Sequence, residues 1–96
     1  MKVVYHPAVQ KDVSAILRHY ESISSSLADE FWGELQARIE AAARNPEHFH
    51  FGAAGRRRVN LRKFPYHFLF RVFADGIRIT VVRHHNRAPR LGLSRK

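Results

Sequence analysis

The spacing of apolar residues changes period midway along this chain, and that change restricts the fold more than any other feature. Up to residue 45 apolar side chains recur at helical intervals, first at Val9, Val13, Ile16, Leu17 and Tyr20, then at Leu27, Phe31, Leu35, Ile39 and Ala42. Residues three, four and seven apart share one face of an α-helix, so each set predicts an amphipathic helix. From residue 57 the period is two: Val59 and Leu61 alternate with Arg58, Asn60 and Arg62. A nearly unbroken apolar run over 67–73 predicts a central, covered strand, and a third run over 77–83 places Ile77, Ile79 and Val81 on one face. Lys2-Val3-Val4-Tyr5 has the β-branched and aromatic bias of a short opening strand.

The punctuation agrees with these elements. Pro7 suits a first helical position, where a missing N–H costs nothing. The serines at 22–26 interrupt the helical pattern, and Ser26 with Asp29 resembles a capping box. A turn this short predicts an antiparallel helical hairpin. Asn45-Pro46 ends the second helix, the glycines and alanines of 47–55 make a loop, Phe64-Pro65 marks a turn, and Asp75-Gly76 signals a hairpin. The expected fold is α+β, a single domain over 1–96. An N-terminal strand and an antiparallel helical hairpin pack on one face of a mainly antiparallel sheet completed by a three-strand C-terminal meander. The other sheet face is expected to be open and lined with arginine and histidine.

Charge is divided unevenly between the halves. Residues 1–55 carry 5 basic and 7 acidic residues, whereas 56–96 carry 12 basic residues and one acid, Asp75, within a net charge of +9. Because these cations interleave with strand positions, they point to one positive face for an anionic partner. The chain has no cysteine, which excludes thiolate chemistry, and no apolar run near the ~20 residues of a membrane span. A cytoplasmic protein without membrane association is expected. His48-x-His50 lacks a third ligand at useful spacing, so neither metal nor other cofactor is expected. No recognition-helix glycine pattern or zinc framework marks the chain as a simple nucleic-acid-binding module, although its charge would suit one.

Five segments in order resemble the ParE/RelE superfamily of toxins. They are the strand running into His6-Pro7-Ala8, Ile16–Tyr20 with Glu21, Asn45-Pro46-Glu47 with Phe49, Arg58-Val59 and Leu61 leading through Phe64-Pro65-Tyr66 to Leu69–Val72, and His84 with Arg87 and Pro89. The resemblance, closer to the ParE-like branch, implies the toxin half of a type II toxin–antitoxin pair that inhibits bacterial growth. It implies a small cognate antitoxin as partner, in a hetero-oligomer or beside a toxin dimer, and contact with operator DNA only through the antitoxin complex. ParE-like members poison DNA gyrase, while RelE-like members cleave mRNA on the ribosome.

Set against the RelE-like pattern, Arg58 and Arg87 match basic positions. Asn60 stands where that branch has Lys, His67 where it has Arg, and Leu93 near its C-terminal Tyr; no tyrosine follows Tyr66. Asn and Leu supply no acid or base at neutral pH. Gyrase poisoning is therefore the first expectation, with Arg57, Arg58, Arg62, Lys63, Arg71, Arg83, Arg87 and Arg90 as candidate contacts to target or nucleic acid. The alternative, an mRNA endoribonuclease, would draw on His67, His84 and Arg87, since histidine titrates near neutrality and arginine stabilises phosphate charge. His84 and His85, being adjacent on a strand, point to opposite faces.

Overall fold

The computed structural model describes residues 1–96, the side chain of Ala53 excepted. Its elements run β1 (Lys2–Tyr5), α1 (Val9–Glu21), α2 (Ser25–Arg44), β2 (Arg57–Asn60), β3 (Tyr66–Phe73) and β4 (Gly76–His84), with short 3-10 turns at Pro46–His48 and Ala53–Gly55. The strands form one sheet in the order β1-β4-β3-β2, with β1 parallel to β4 and the other pairs antiparallel. The helical hairpin covers one face, as the periodicities require. Val9, Ile16, Phe31, Leu35 and Ile39 pack with Val59, Phe68, Phe70, Ile77, Ile79 and Val82 in one apolar core. At one end of it Tyr20, Phe31, Phe64 and Tyr66 meet with centroids 5.1–6.1 Å apart, several edge to face.

Several local expectations need correction. Helix α1 begins at Val9, so Pro7 lies in the preceding turn, where His6 Nδ1 accepts from the Ala8 amide at 3.1 Å. The cap of α2 is Ser24, whose hydroxyl accepts from Leu27 N at 3.1 Å; Ser26 already lies inside the helix. The β3–β4 hairpin turns at Ala74-Asp75, since Phe73 pairs with Gly76. Gly76 serves the sheet rather than the turn: a Cβ there would come within 2.1 Å of Lys2 O, so only glycine lets β1 approach β4 this closely.

The largest departure is in β4. Val81 pairs with Leu69 but Ile79 pairs with Phe70, which leaves Thr80 as an extra residue, a β-bulge. Alternation inverts across it. Ile77, Ile79 and Val82 face the helices, whereas Val81 turns to the opposite face with Arg78 and Arg83. That face is only partly open. Leu69 and Val81 on it are 1% and 0% exposed, because the chain covers them from both sides. Gly52 sits against Leu69 and Arg58, and the tail after β4 lays Gly92, at φ +83°, directly on Val81. Among the described residues no helix is long and apolar enough to cross a membrane.

Candidate functional site: a cationic sheet face

With the middle of this face covered, its charged residues fall into two groups. Towards the start of β3, alternation and pairing bring Arg58 and Asn60 of β2, His67 of β3 and Arg83 of β4 onto the same side. His85 bends over them. Towards the far end, Arg71 and Arg78 pair directly across β3 and β4. Like charges in that position repel. Arg71 makes no ion pair among the described residues, where the one ion pair is Arg95 with Asp12.

The first group is a hydrogen-bonded chain whose protons can be assigned. Arg83 Nε donates to His67 Nε2 at 2.9 Å, so that nitrogen carries no proton. The neutral ring therefore holds its hydrogen on Nδ1, which lies 2.9 Å from His85 Nδ1 and donates to it. His85 Nδ1 also accepts from Arg58 Nη2 at 3.3 Å, which leaves the His85 proton on Nε2. Arg58 Nε donates to Asn60 Oδ1 at 2.8 Å. Two inner side chains, His67 at 2% exposure and Arg83 at 7%, thus fix two outer ones, Arg58 and His85, which remain on the surface with donors to spare.

Electrostatics keep this chain neutral at its histidines. Burial, and then the charges of Arg58 and Arg83 with the neighbouring His85 and His84, push His67 down to about 3. Burial and then Arg58 and His84 also lower His85. Burial lowers Arg83, with Arg58 adding to it.

The tail is held by Arg83, expected from the sequence to be a surface contact, together with Arg95 and Arg56. Arg83 Nη1 donates to Pro89 O at 2.8 Å and Leu91 O at 2.6 Å, making it an internal brace. Arg95 engages Asp12 at 2.6 and 3.1 Å and donates to Thr80 O at 3.2 Å, while Asp12 also accepts from Val82 N at 3.1 Å. Strand β1 leaves β4 after Ile79, so the Asp12 carboxylate and the Arg95 guanidinium replace the missing ladder partner along the rest of that edge. Arg56 is buried and reaches Ala54 O and Arg95 O.

The remaining candidates scatter. Arg57 lies over the Phe51 ring at 4.2 Å and donates to Phe49 O at 2.8 Å. Arg62 and Lys63 sit in the β2–β3 turn, their amides held by the Glu34 carboxylate. Arg90 is exposed on the tail. The structure brings His67 together with Arg58, Arg83 and His85. It does not bring it to His84, whose ring packs against Tyr66 at 5.0 Å, or to Arg87, and both of these line a cleft beside α1. Arg78 was missed, although the Ile77-Arg78-Ile79 alternation carries its signal. Trp32, beside the apolar stripe of α2, is 47% exposed and borders an apolar groove between α1 and α2 with Tyr5, Val13, Leu17 and Leu35.

Residues 3–89 match the family model described as "ParE toxin of type II toxin-antitoxin system, parDE". A solved structure titled "Chromosomal ParDE TA system from P. aeruginosa" superposes with a TM-score of 0.76 at 18% identity, covering 88% of this chain and 95% of that one. At that identity the likeness concerns the fold. A search of curated proteins gives no match.

Proposed function

The chain belongs to the ParE toxin family of type II toxin–antitoxin systems, and on that footing we propose that it arrests bacterial growth by poisoning DNA gyrase, docking on the enzyme–DNA complex through its cationic sheet face. The observation that carries this reading over mRNA cleavage is the state of His67. The ring is buried, both nitrogens are engaged, and its pKa lies near 3. A general base must reach a substrate proton and titrate near the working pH, and His67 does neither. Asn60 beside it supplies no proton, and no tyrosine follows Tyr66. Gyrase poisoning asks less of the face: fixed cations such as Arg58 and Arg71, which suit phosphate and acidic side chains and need no proton transfer.

A cognate antitoxin keeps such a toxin silent. Its acidic part would cover the cationic face, and the apolar groove bordered by Tyr5 and Trp32 has the lining that an amphipathic helix requires. Expression of this chain alone in a bacterial host, with DNA supercoiling and mRNA integrity followed together, tests the proposal. Growth arrest with DNA breaks or altered supercoiling and intact mRNA is expected. Arrest with cleaved ribosome-bound mRNA and normal supercoiling would overturn it in favour of the ribonuclease.

A further inference from the structure

A second cationic site lies off the sheet face, in a cleft of about 420 Å³ between α1, the end of β4 and the tail. Its walls carry Lys11 and His19 from α1, His84 from β4 and Arg87 from the tail, over a floor that includes Ile16 and Tyr66. Lys11 and His19 are two helical turns apart with Ala15 between them, so they share a face and flank the cleft. The turn in which Arg87 N donates to His84 O at 3.1 Å sets Arg87 opposite them. His84 Nδ1 accepts from Asn86 N at 3.0 Å, which leaves the hydrogen of the neutral ring on Nε2.

Lys11 and Arg87 have no ion-pair partner among the described residues. The single carboxylate in the cleft, Asp12, is engaged by two nitrogens of Arg95 and the amide of Val82. The side chains of Lys11, His19 and Arg87 make no hydrogen bond or ion pair among the described residues. Several uncompensated donors from three elements, facing one another over an apolar floor, match what a phosphate group with an attached base or sugar would use. The volume lies in the range of small-ligand clefts, ~300–1,000 Å³.

We propose that this cleft binds a phosphate group through Lys11, Arg87, His19 and His84, with the attached organic part of the ligand resting on Ile16 and Tyr66. The phosphate could belong to a free mononucleotide or to a nucleic-acid strand, and the two differ in whether neighbouring phosphates add affinity. Arg58 and Arg71, the cations on which the gyrase reading rests, do not line this cleft, so the two readings can be tested apart.

The test is titration of the whole chain with AMP and, separately, with a short single-stranded oligonucleotide, using calorimetry and amide shifts. The variants are Lys11→Glu, Arg87→Glu and, as a control distant on α2, Arg44→Glu. Saturable binding is expected, with shifts around Lys11, His19 and Arg87, weakened about tenfold or more by either cleft variant and little changed by the control. Equal affinity for both probes assigns a free nucleotide; a strong preference for the oligonucleotide assigns a strand. Lys11 and Arg87 are exposed and unbonded, so both variants are expected to melt like the parent. No saturable binding of either probe, or binding unaffected by both charge reversals, would overturn the proposal.

Discussion

His67 and His85 meet nitrogen to nitrogen, Nδ1 to Nδ1 at 2.9 Å, a contact that is favourable only while the pair carries no extra proton. A proton added to His85 Nδ1 would face the N–H of His67 and the guanidinium of Arg58. One added to His67 Nε2 would face Arg83. The hydrogen-bonded chain that orients Arg58 is therefore sensitive to acid.

That sensitivity has a sign and a window. Unfolded, His67 titrates near its ordinary ~6.5; folded, it does so only near 3. Between those values the unfolded chain holds more protons, so stability is fully present above about pH 6.5 and falls with pH by up to about 1.4 kcal/mol per unit. The lowering of His85 acts in the same direction. Urea unfolding from pH 4 to 7 is expected to show this slope, and His67→Gln should flatten it by about one proton. An equally steep profile in that variant would remove His67 from the explanation.

The Asp12–Arg95 pair joins α1, the free edge of β4 and the tail across 83 residues of sequence. Asp12→Ala strips an acceptor from Val82 N and strands a partly buried guanidinium, at a cost of about 2–4 kcal/mol. Arg95→Ala is expected to cost less, since the carboxylate keeps Val82 N. Hydrogen exchange should locate the change, with the Val82 amide exchanging faster in the aspartate variant and staying protected in the arginine variant. Equal protection of that amide in both would contradict the edge-capping role.

Two glycines rank themselves by what stands in the way of a methyl group. At Gly76 the obstacle is the Lys2 carbonyl of β1, 2.1 Å from an added Cβ. At Gly92 it is the Val81 side chain at 2.6 Å, on a tail that can lift. Gly92→Ala also meets strain from its positive φ. Both variants should melt below the parent, by about 1–3 kcal/mol for Gly92→Ala and by more for Gly76→Ala, which must separate β1 from β4. Thermal unfolding with amide exchange in β1 reads the difference. A Gly92→Ala protein less stable than Gly76→Ala would mean that the tail, not β1, holds the sheet.

How far the sequence reaches depends on the range of the interaction. Periodicity showed the helices and strands, because Val9–Tyr20, Leu27–Ala42 and Val59 report burial residue by residue. It failed at Thr80, since a bulge inserts one residue without changing the apolar character of Ile79-Thr80-Val81-Val82. The tail was opaque for another reason. Arg83, Arg90 and Arg95 read alike in sequence, and what separates a buried brace from a free cation is a contact with Pro89 O, or with Asp12 far back on α1. His67 was found by its residue type, but the partner that fixes it, His85, is set by the bend after β4.

That distinction between braced and free arginines changes which mutations test toxicity. Arg83→Ala removes a side chain bonded to His67, Pro89 and Leu91, so loss of growth arrest there would accompany a loss of about 2–4 kcal/mol in stability. Arg58 and Arg71 stand on the surface of the same face, and removing them costs little in packing. Arg58→Ala with Arg71→Ala is expected to stay within about 1 kcal/mol of the parent and to reduce growth arrest strongly. Arg62→Ala with Lys63→Ala, in the turn on the α2 side, should keep most of it. Colony counts after induction, read beside melting curves of the same proteins, check this. Full toxicity in a folded Arg58/Arg71 double variant would take the sheet face out of target binding. Loss of toxicity at unchanged stability would place it there.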